Sequence, residues 1–211
     1  MNKRTYYNFS NQGYMVDTVP DELYEGLKEL CKKAFNYNEK ANDILAGKID
    51  KEFYLNEGVE LIKNYIYNLC EDYSKQTNFF YVQRIRECLV KRFNNYYYDL
   101  NSLWVNFQAR SEYNPVHRHS GLYSFVIWMQ VPYTYEEENL HNKTTASNGS
   151  FFFHVNNPSG DLDNNVLKVD KTWEKKIAIF PSDTNHSVTP FYSSDKFRIS
   201  VAGNVFLGIN D

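Results

Sequence analysis

The sequence predicts an α+β, mainly β chain: a jelly roll with N-terminal helices packed on the outer face of one sheet. Two features point there. Apolar residues recur every three to four positions up to about residue 98 and every second position afterwards, so helices come first and strands follow. That order lays helices on an antiparallel sheet instead of alternating them with parallel strands. Composition agrees, with 18 Tyr and 15 Phe among 211 residues, types that favour pleated surfaces and large buried contacts. Many short strands close best as two sheets facing each other. Residues 1–100 read as a helical part that packs on the core and is not independent, and 101–211 as the β core of what is a single domain overall.

Residues 1–19 have little periodicity and offer at most a short strand. Val19-Pro20-Asp21-Glu22 is a helix start, with proline and acidic residues in the first turn. Leu23, Leu27, Leu30, Cys31 and Ala34 carry its apolar face to about Phe35. After a connection over 36–50, Leu55, Val59, Leu61, Ile62, Ile66, Leu69 and Cys70 mark a second helix, and Ile85, Cys88, Leu89 and Phe93 predict a third over 79–98. From Ser102 to Arg110 alternation puts Trp104, Asn106 and Gln108 on one face. The apolar run 122–131 suits a central strand covered on both faces. Residues 133–150 form a polar stretch of a length that usually signals function, and a substrate lid is expected there. Further strands are expected over 150–155, 166–169, 176–180, 187–192 and 196–207. The last two form a hairpin turning at Ser193-Ser194-Asp195.

Net charge of −3 and a pI near 6.0 supply no field for nucleic acid or an anionic membrane. No apolar run reaches membrane-spanning length, and the first residues lack the apolar core of a secretion signal, so a cytoplasmic location is expected. Cys31, Cys70 and Cys88 have no metal or redox spacing and read as reduced, mostly buried thiols.

Chemistry concentrates in the second half. His117 and His119 stand two apart in an extended segment, so both rings point one way and converge on one ion. His186 supplies a third imidazole from a distant strand and leaves the far side of the ion open, as a catalytic site requires. Arg198 and Ser200 share one face of the last strand. Arg198 lies about 16 Å along the expected hairpin from His186, a span that an ion-bound dicarboxylate and an extended arginine bridge. His141 and His154 lack such context. A non-catalytic jelly-roll metal-binding or interaction module fits the same residues, as does a zinc hydrolase with Glu112 as its base.

Four segments, LWVNFQ (103–108), NPVHRHSGLYSFVIWMQVP (114–132), VLKVDKTWEKKIAIFPS (166–182) and NHSVTPFYSSDKFRISVAGNV (185–205), resemble the 2-oxoglutarate/Fe(II)-dependent oxygenases, in particular the branch common in bacteriophage genomes. LAGKIDKEFYL (45–55) extends the likeness to roughly residues 45–207. The resemblance implies a double-stranded β-helix (jelly roll, cupin-like), Fe(II), 2-oxoglutarate as cosubstrate, and O2. It also implies decarboxylation of 2-oxoglutarate to succinate, hydroxylation of a protein residue or small molecule, and host cytoplasm as the location of a phage-encoded chain. By position His117 is the first iron ligand, His186 the distal ligand, and Arg198 with Ser200 the 2-oxoglutarate clamp. Asn106 and Tyr123 are further candidates for hydrogen bonds to the cosubstrate. Where the family pattern has His-x-Asp/Glu, this chain has His119, a neutral group that leaves the iron more positive.

Overall fold

Alternation along the strands sorts side chains onto two faces, and the fold uses both. The computed structural model describes residues 4–8, 13–37, 40–42, 45–76, 96–140, 147–157 and 159–209. In chain order these form β1 (Thr5–Asn8), β2 (Gly13–Thr18), α1 (Asp21–Tyr37), β3 (Glu52–Tyr54), α2 (Asn56–Gln76), β4 (Tyr96–Gln108), β5 (Asn114–His117) and β6 (Tyr123–Gln130). There follow α3 (Tyr135–Asn139), β7 (Phe151–Asn156), β8 (Leu162–Leu167), a 3₁₀ turn (Lys171–Trp173), β9 (Lys176–Pro181), β10 (His186–Val188) and β11 (Arg198–Ile209). A seven-stranded sheet in the order β1-β2-β9-β6-β11-β4-β3 faces a four-stranded sheet in the order β5-β10-β7-β8. Every pairing is antiparallel, and the pair of sheets is a double-stranded β-helix.

Each face of the large sheet has its own core. The odd-numbered residues Val105, Phe107, Phe125, Ile127, Val201 and Val205 point outward and are covered by Leu27, Ile62, Ile66, Leu69 and Tyr73 of α1 and α2. Burying one such aliphatic side chain is worth about 1.5–3 kcal/mol, so this layer holds the helices on. Between the sheets Val126, Trp128, Phe151, Phe153, Phe180 and Phe191 fill one end with tilted and edge-to-face rings. The other end of that space is polar.

Several expectations change in physical detail. The N-terminal part is more than helical, since β1, β2 and β3 extend the large sheet and β4 runs across position 100. The expected third helix lies outside the described residues over 79–95, and Tyr96–Tyr98, its last three positions, begin β4. Cys31 and Cys70 are buried thiols; Cys88 lies outside the described residues. The expected hairpin of 187–192 with 196–207 does not form. β10 stops at Val188 and belongs to the small sheet, whereas β11 belongs to the large one. Pro190, which has no N–H to give a ladder, lies in the segment that crosses between sheets. Residues 133–150 are not a free flap at either end. Thr134 caps α3 in a capping box, and buried Glu138 accepts the backbone N–H groups of Tyr192 and Ser193 at 2.6 and 2.8 Å. His141 lies outside the described residues. No helix among the described residues is long and apolar enough to cross a membrane.

Candidate metal centre

β5 and β10 are neighbours in the small sheet, and His117 and His186 are direct register partners. Partners in an antiparallel pair point to the same side, so the two rings meet, with centroids 4.2 Å apart. His119 stands just past the end of β5, where its backbone N–H donates to the Ser182 carbonyl at 2.8 Å. Its ring packs beside Trp104 at 5.7 Å and lies 5.0 Å from the ring of His117 and 5.1 Å from that of His186. One nitrogen from each imidazole falls within 4.8 Å of the others.

The protonation of the rings suits a cation. Nδ1 of His117 contacts the Pro115 carbonyl at 2.8 Å, and Nδ1 of His186 contacts the Thr184 carbonyl at 2.9 Å. A carbonyl only accepts, so each Nδ1 carries the proton and each Nε2 lone pair is left for an ion. Burial lowers the pKa of all three. His119 falls to about 4 through burial and the neighbouring His117; His117 falls through burial, and His186 falls further through burial and then His117. The rings are neutral donors at neutral pH. Three neutral nitrogens on one side suit a divalent first-row ion with open positions opposite, and Fe(II) is among the ions such a set takes.

The same cavity is lined from the large sheet by Arg198, Ser200, Asn106 and Gln108. The missing hairpin explains how His186 and Arg198 come to share it: they look at each other from opposed sheets, not along one strand. Arg198 is 4% exposed and is held only by neutral oxygens among the described residues. Its Nε (3.0 Å) and Nη2 both donate to Gln108 Oε1, and Nη1 donates to the Tyr133 hydroxyl and the Gly149 carbonyl, each at 2.9 Å. Gly149 has φ of +66°, and a Cβ there would come within 2.7–2.9 Å of the Tyr133 ring, so glycine is required where the chain delivers that carbonyl. A buried guanidinium with no carboxylate beside it is costly unless an anion arrives.

Asn106 and Ser200 are register partners, with Asn106 Nδ2 donating to Ser200 Oγ at 3.5 Å. Asn106 Oδ1 is buried in the cavity wall without a hydrogen-bond partner. Tyr123 is a correction. It sits on the outward face of β6 against Tyr73 and Tyr98 in the helix-side core, because the strand enters one residue out of phase with that expectation. Ser124 is the residue that faces the cavity, with its Oγ donating to Asn204 Oδ1 at 2.7 Å. His154 is on the outer face of the small sheet, between Asn164 and Ser187. Sequence reasoning missed Tyr133 and Glu52, a cavity-lining carboxyl on β3. Tyr133 has only its place after Pro132 to mark it, and Glu52 lies between the expected connection over 36–50 and the second helix, where no element is expected.

Comparison with known proteins agrees with this geometry. Residues 102–204 match a family model described as "Putative 2OG-Fe(II) oxygenase". No curated protein sequence matches the chain. Among solved structures, a viral collagen prolyl hydroxylase from Paramecium bursaria Chlorella virus-1, in its 2-oxoglutarate complex, aligns with a TM-score of 0.50 at 11% identity, covering 91% of this chain and 94% of that one. A prolyl-4-hydroxylase from Pseudomonas putida aligns with a TM-score of 0.50 at 12% identity, covering 96% and 95%. Over residues 102–204, therefore, the chain carries the sequence pattern of the 2-oxoglutarate/Fe(II) oxygenases, enzymes that need Fe(II), 2-oxoglutarate and O2.

Proposed function

We propose that the protein is a non-haem Fe(II)- and 2-oxoglutarate-dependent dioxygenase that hydroxylates a C–H bond of a protein residue or small molecule and decarboxylates 2-oxoglutarate to succinate. One observation carries the reading. A buried guanidinium without an anionic partner among the described residues faces the cavity into which three neutral imidazoles also converge. A dicarboxylate meets both needs at once.

In this reading His117, His119 and His186 hold the iron from one side through their free nitrogens. Bound there, iron would activate O2, which is the oxidant: one oxygen atom would go into succinate as 2-oxoglutarate loses CO2, and the other into the hydroxylated product. Arg198 takes the far carboxylate of 2-oxoglutarate in a planar, two-pronged grip, and Ser200 Oγ on the same face adds a donor. Gln108, Tyr133 and Gly149 fix the guanidinium in advance, so little ordering is left to do when the cosubstrate binds. Trp104, Trp128 and Phe180 wall the cavity and keep water from the reacting groups. The branch common in bacteriophages is part of the same proposal, drawn from the segments 103–108, 114–132, 166–182 and 185–205.

The test is anaerobic addition of Fe(II) and then 2-oxoglutarate to purified apoprotein, with Arg198→Ala as the control. A weak visible charge-transfer band that needs both components and fades in the control is the expected result. Tight Zn²⁺ binding with no band, and no change in stability on adding 2-oxoglutarate, would favour the metal-binding module instead.

A further inference from the structure

Glu52 is a buried carboxyl that the iron and cosubstrate roles leave unused. β3 pairs with β4 so that Glu52 faces Asn106 directly, and both side chains line the cavity of the three histidines. Cross-strand partners of this kind hold their Cβ atoms about 4.5–5.5 Å apart, so the carboxyl and the Asn106 amide form one surface. Glu52 is 3% exposed and Asn106 8%. Among the described residues no cation pairs with Glu52, and the one side chain that donates to it is Asn42, through Nδ2 at 3.3 Å. The charge that acts on it is a second anion, Glu112, and burial first and then that anion raise its pKa to about 7. Lys51, the next residue, points to the opposite face and lies over the rings of Phe35 and Phe197.

Beside it, Asn106 Nδ2 is committed to Ser200 Oγ, which leaves Oδ1, buried in the cavity lining, with no hydrogen bond to accept. The row Glu52–Asn106–Ser200 thus changes character along its length. At the Ser200 end it neighbours Arg198 and suits an anion. At the Glu52 end it presents acceptor oxygens only, which repel an anion and call for a donor. An occupant of that end must bring N–H groups, and positive charge is what a lone buried carboxylate needs.

We propose that Glu52 and Asn106 Oδ1 form the substrate-recognition wall of this cavity and receive a cationic nitrogen group of the substrate, an ammonium or guanidinium. The proposal rests on the dioxygenase reading for the word substrate, and on the geometry alone for the binding. It assigns Glu52 to specificity: the carboxylate positions the cationic end so that the remainder of the substrate lies toward the three histidines.

The test uses the full-length chain, alone and with Fe(II) and 2-oxoglutarate under anaerobic conditions. Three probes are titrated: Nα-acetyl-lysine amide, the neutral Nα-acetyl-norleucine amide of similar length, and the anionic Nα-acetyl-glutamate amide. Trp104 and Trp128 line the cavity, so their fluorescence reports binding, and succinate release reports coupling. The cationic probe should bind about tenfold or more tightly than the neutral one, as a charge-assisted hydrogen bond in a dry site supplies, with the anionic probe weakest. In Glu52→Gln the cationic preference should fall to about twofold or less, while Glu112→Gln, which removes the nearby charge from a side chain outside the cavity lining and keeps the backbone carbonyl that holds Gln108, should keep it. Thermal unfolding of both variants checks that the fold survives. Equal binding of the cationic and neutral probes, no binding of any, or a preference that outlasts Glu52→Gln in the folded protein would overturn the proposal. A missing charge-transfer band with the cation preference intact would sink the iron reading and leave this wall standing.

Discussion

Replacing Glu52 by Gln should make the metal-free protein more stable, by an amount that grows with pH. The native carboxyl titrates near 7, against an ordinary value of 4.5, because burial and then Glu112 disfavour its charge. Its folded pKa is raised, so between these values the native state binds more protons than the unfolded chain. Stability of the wild type therefore falls as pH rises from about 4.5 through about 7 and levels off above. The distance from 4.5 to about 7 corresponds to roughly 3 kcal/mol. Gln keeps the shape and still accepts from Asn42 Nδ2, yet never ionises. Urea unfolding of both proteins at pH 4.5, 6 and 8 compares them directly, and the difference reports the ionisation of Glu52 together with its coupling to Glu112. The variant's advantage should be near zero at pH 4.5 and roughly 3 kcal/mol at pH 8, which for a chain of this size is a rise of about 6–12 °C in Tm. An advantage that is flat with pH, or that shrinks as pH rises, would refute the argument that Glu52 is a buried, unpartnered acid.

Two other perturbations test the site. His119→Ala should weaken Fe(II) or Zn²⁺ binding by about tenfold or more in a competition titration, while His154→Ala, on the outer face of the small sheet, should leave it unchanged; equal effects would mean that the three-histidine set does not hold the ion. Tyr133→Phe strips Arg198 Nη1 of one of its two acceptors and leaves the Gly149 carbonyl with one donor fewer, so thermal unfolding should show a loss of about 1–3 kcal/mol at neutral pH, smaller when 2-oxoglutarate is bound to the iron-loaded protein.

Much of the fold could be read from period alone. α1 and α2 begin and end within a few residues of the apolar repeats that announce them, and the strong alternation of Ser102 to Gln108 placed Asn106 and Gln108 on the cavity face. Period also misled where it was weakest. In the continuous apolar run of β6 both faces are covered, so nothing in the pattern says which residues look inward, and the cavity belongs to Ser124 and not to the expected Tyr123. Short strands carry even less signal. β3 is three residues long and β10 is three, and both are fixed by pairing with strands far away in sequence. The false hairpin of β10 with β11 followed from that, since Ser193-Ser194-Asp195 is turn chemistry whether the chain reverses within a sheet or crosses to another.

The residues that local pattern could not explain are those the cavity gathers. Arg198 and Glu52 are charged groups at 4% and 3% exposure, in strands where packing alone would choose an apolar residue. Neither has an ion-pair partner among the described residues, and they lie toward opposite ends of one polar wall across β3, β4 and β11. A salt bridge between them would have relieved both. The intervening Asn106 and Ser200 instead keep the two charges on separate strands, at a cost in stability that Glu52→Gln should reveal directly. Buried charges left open in this way are hard to reconcile with a structural metal module, whose stability would gain from neutral residues at both positions. They fit a site with two occupants of different charge: an anion toward Arg198 beside the histidines, and a cation toward Glu52.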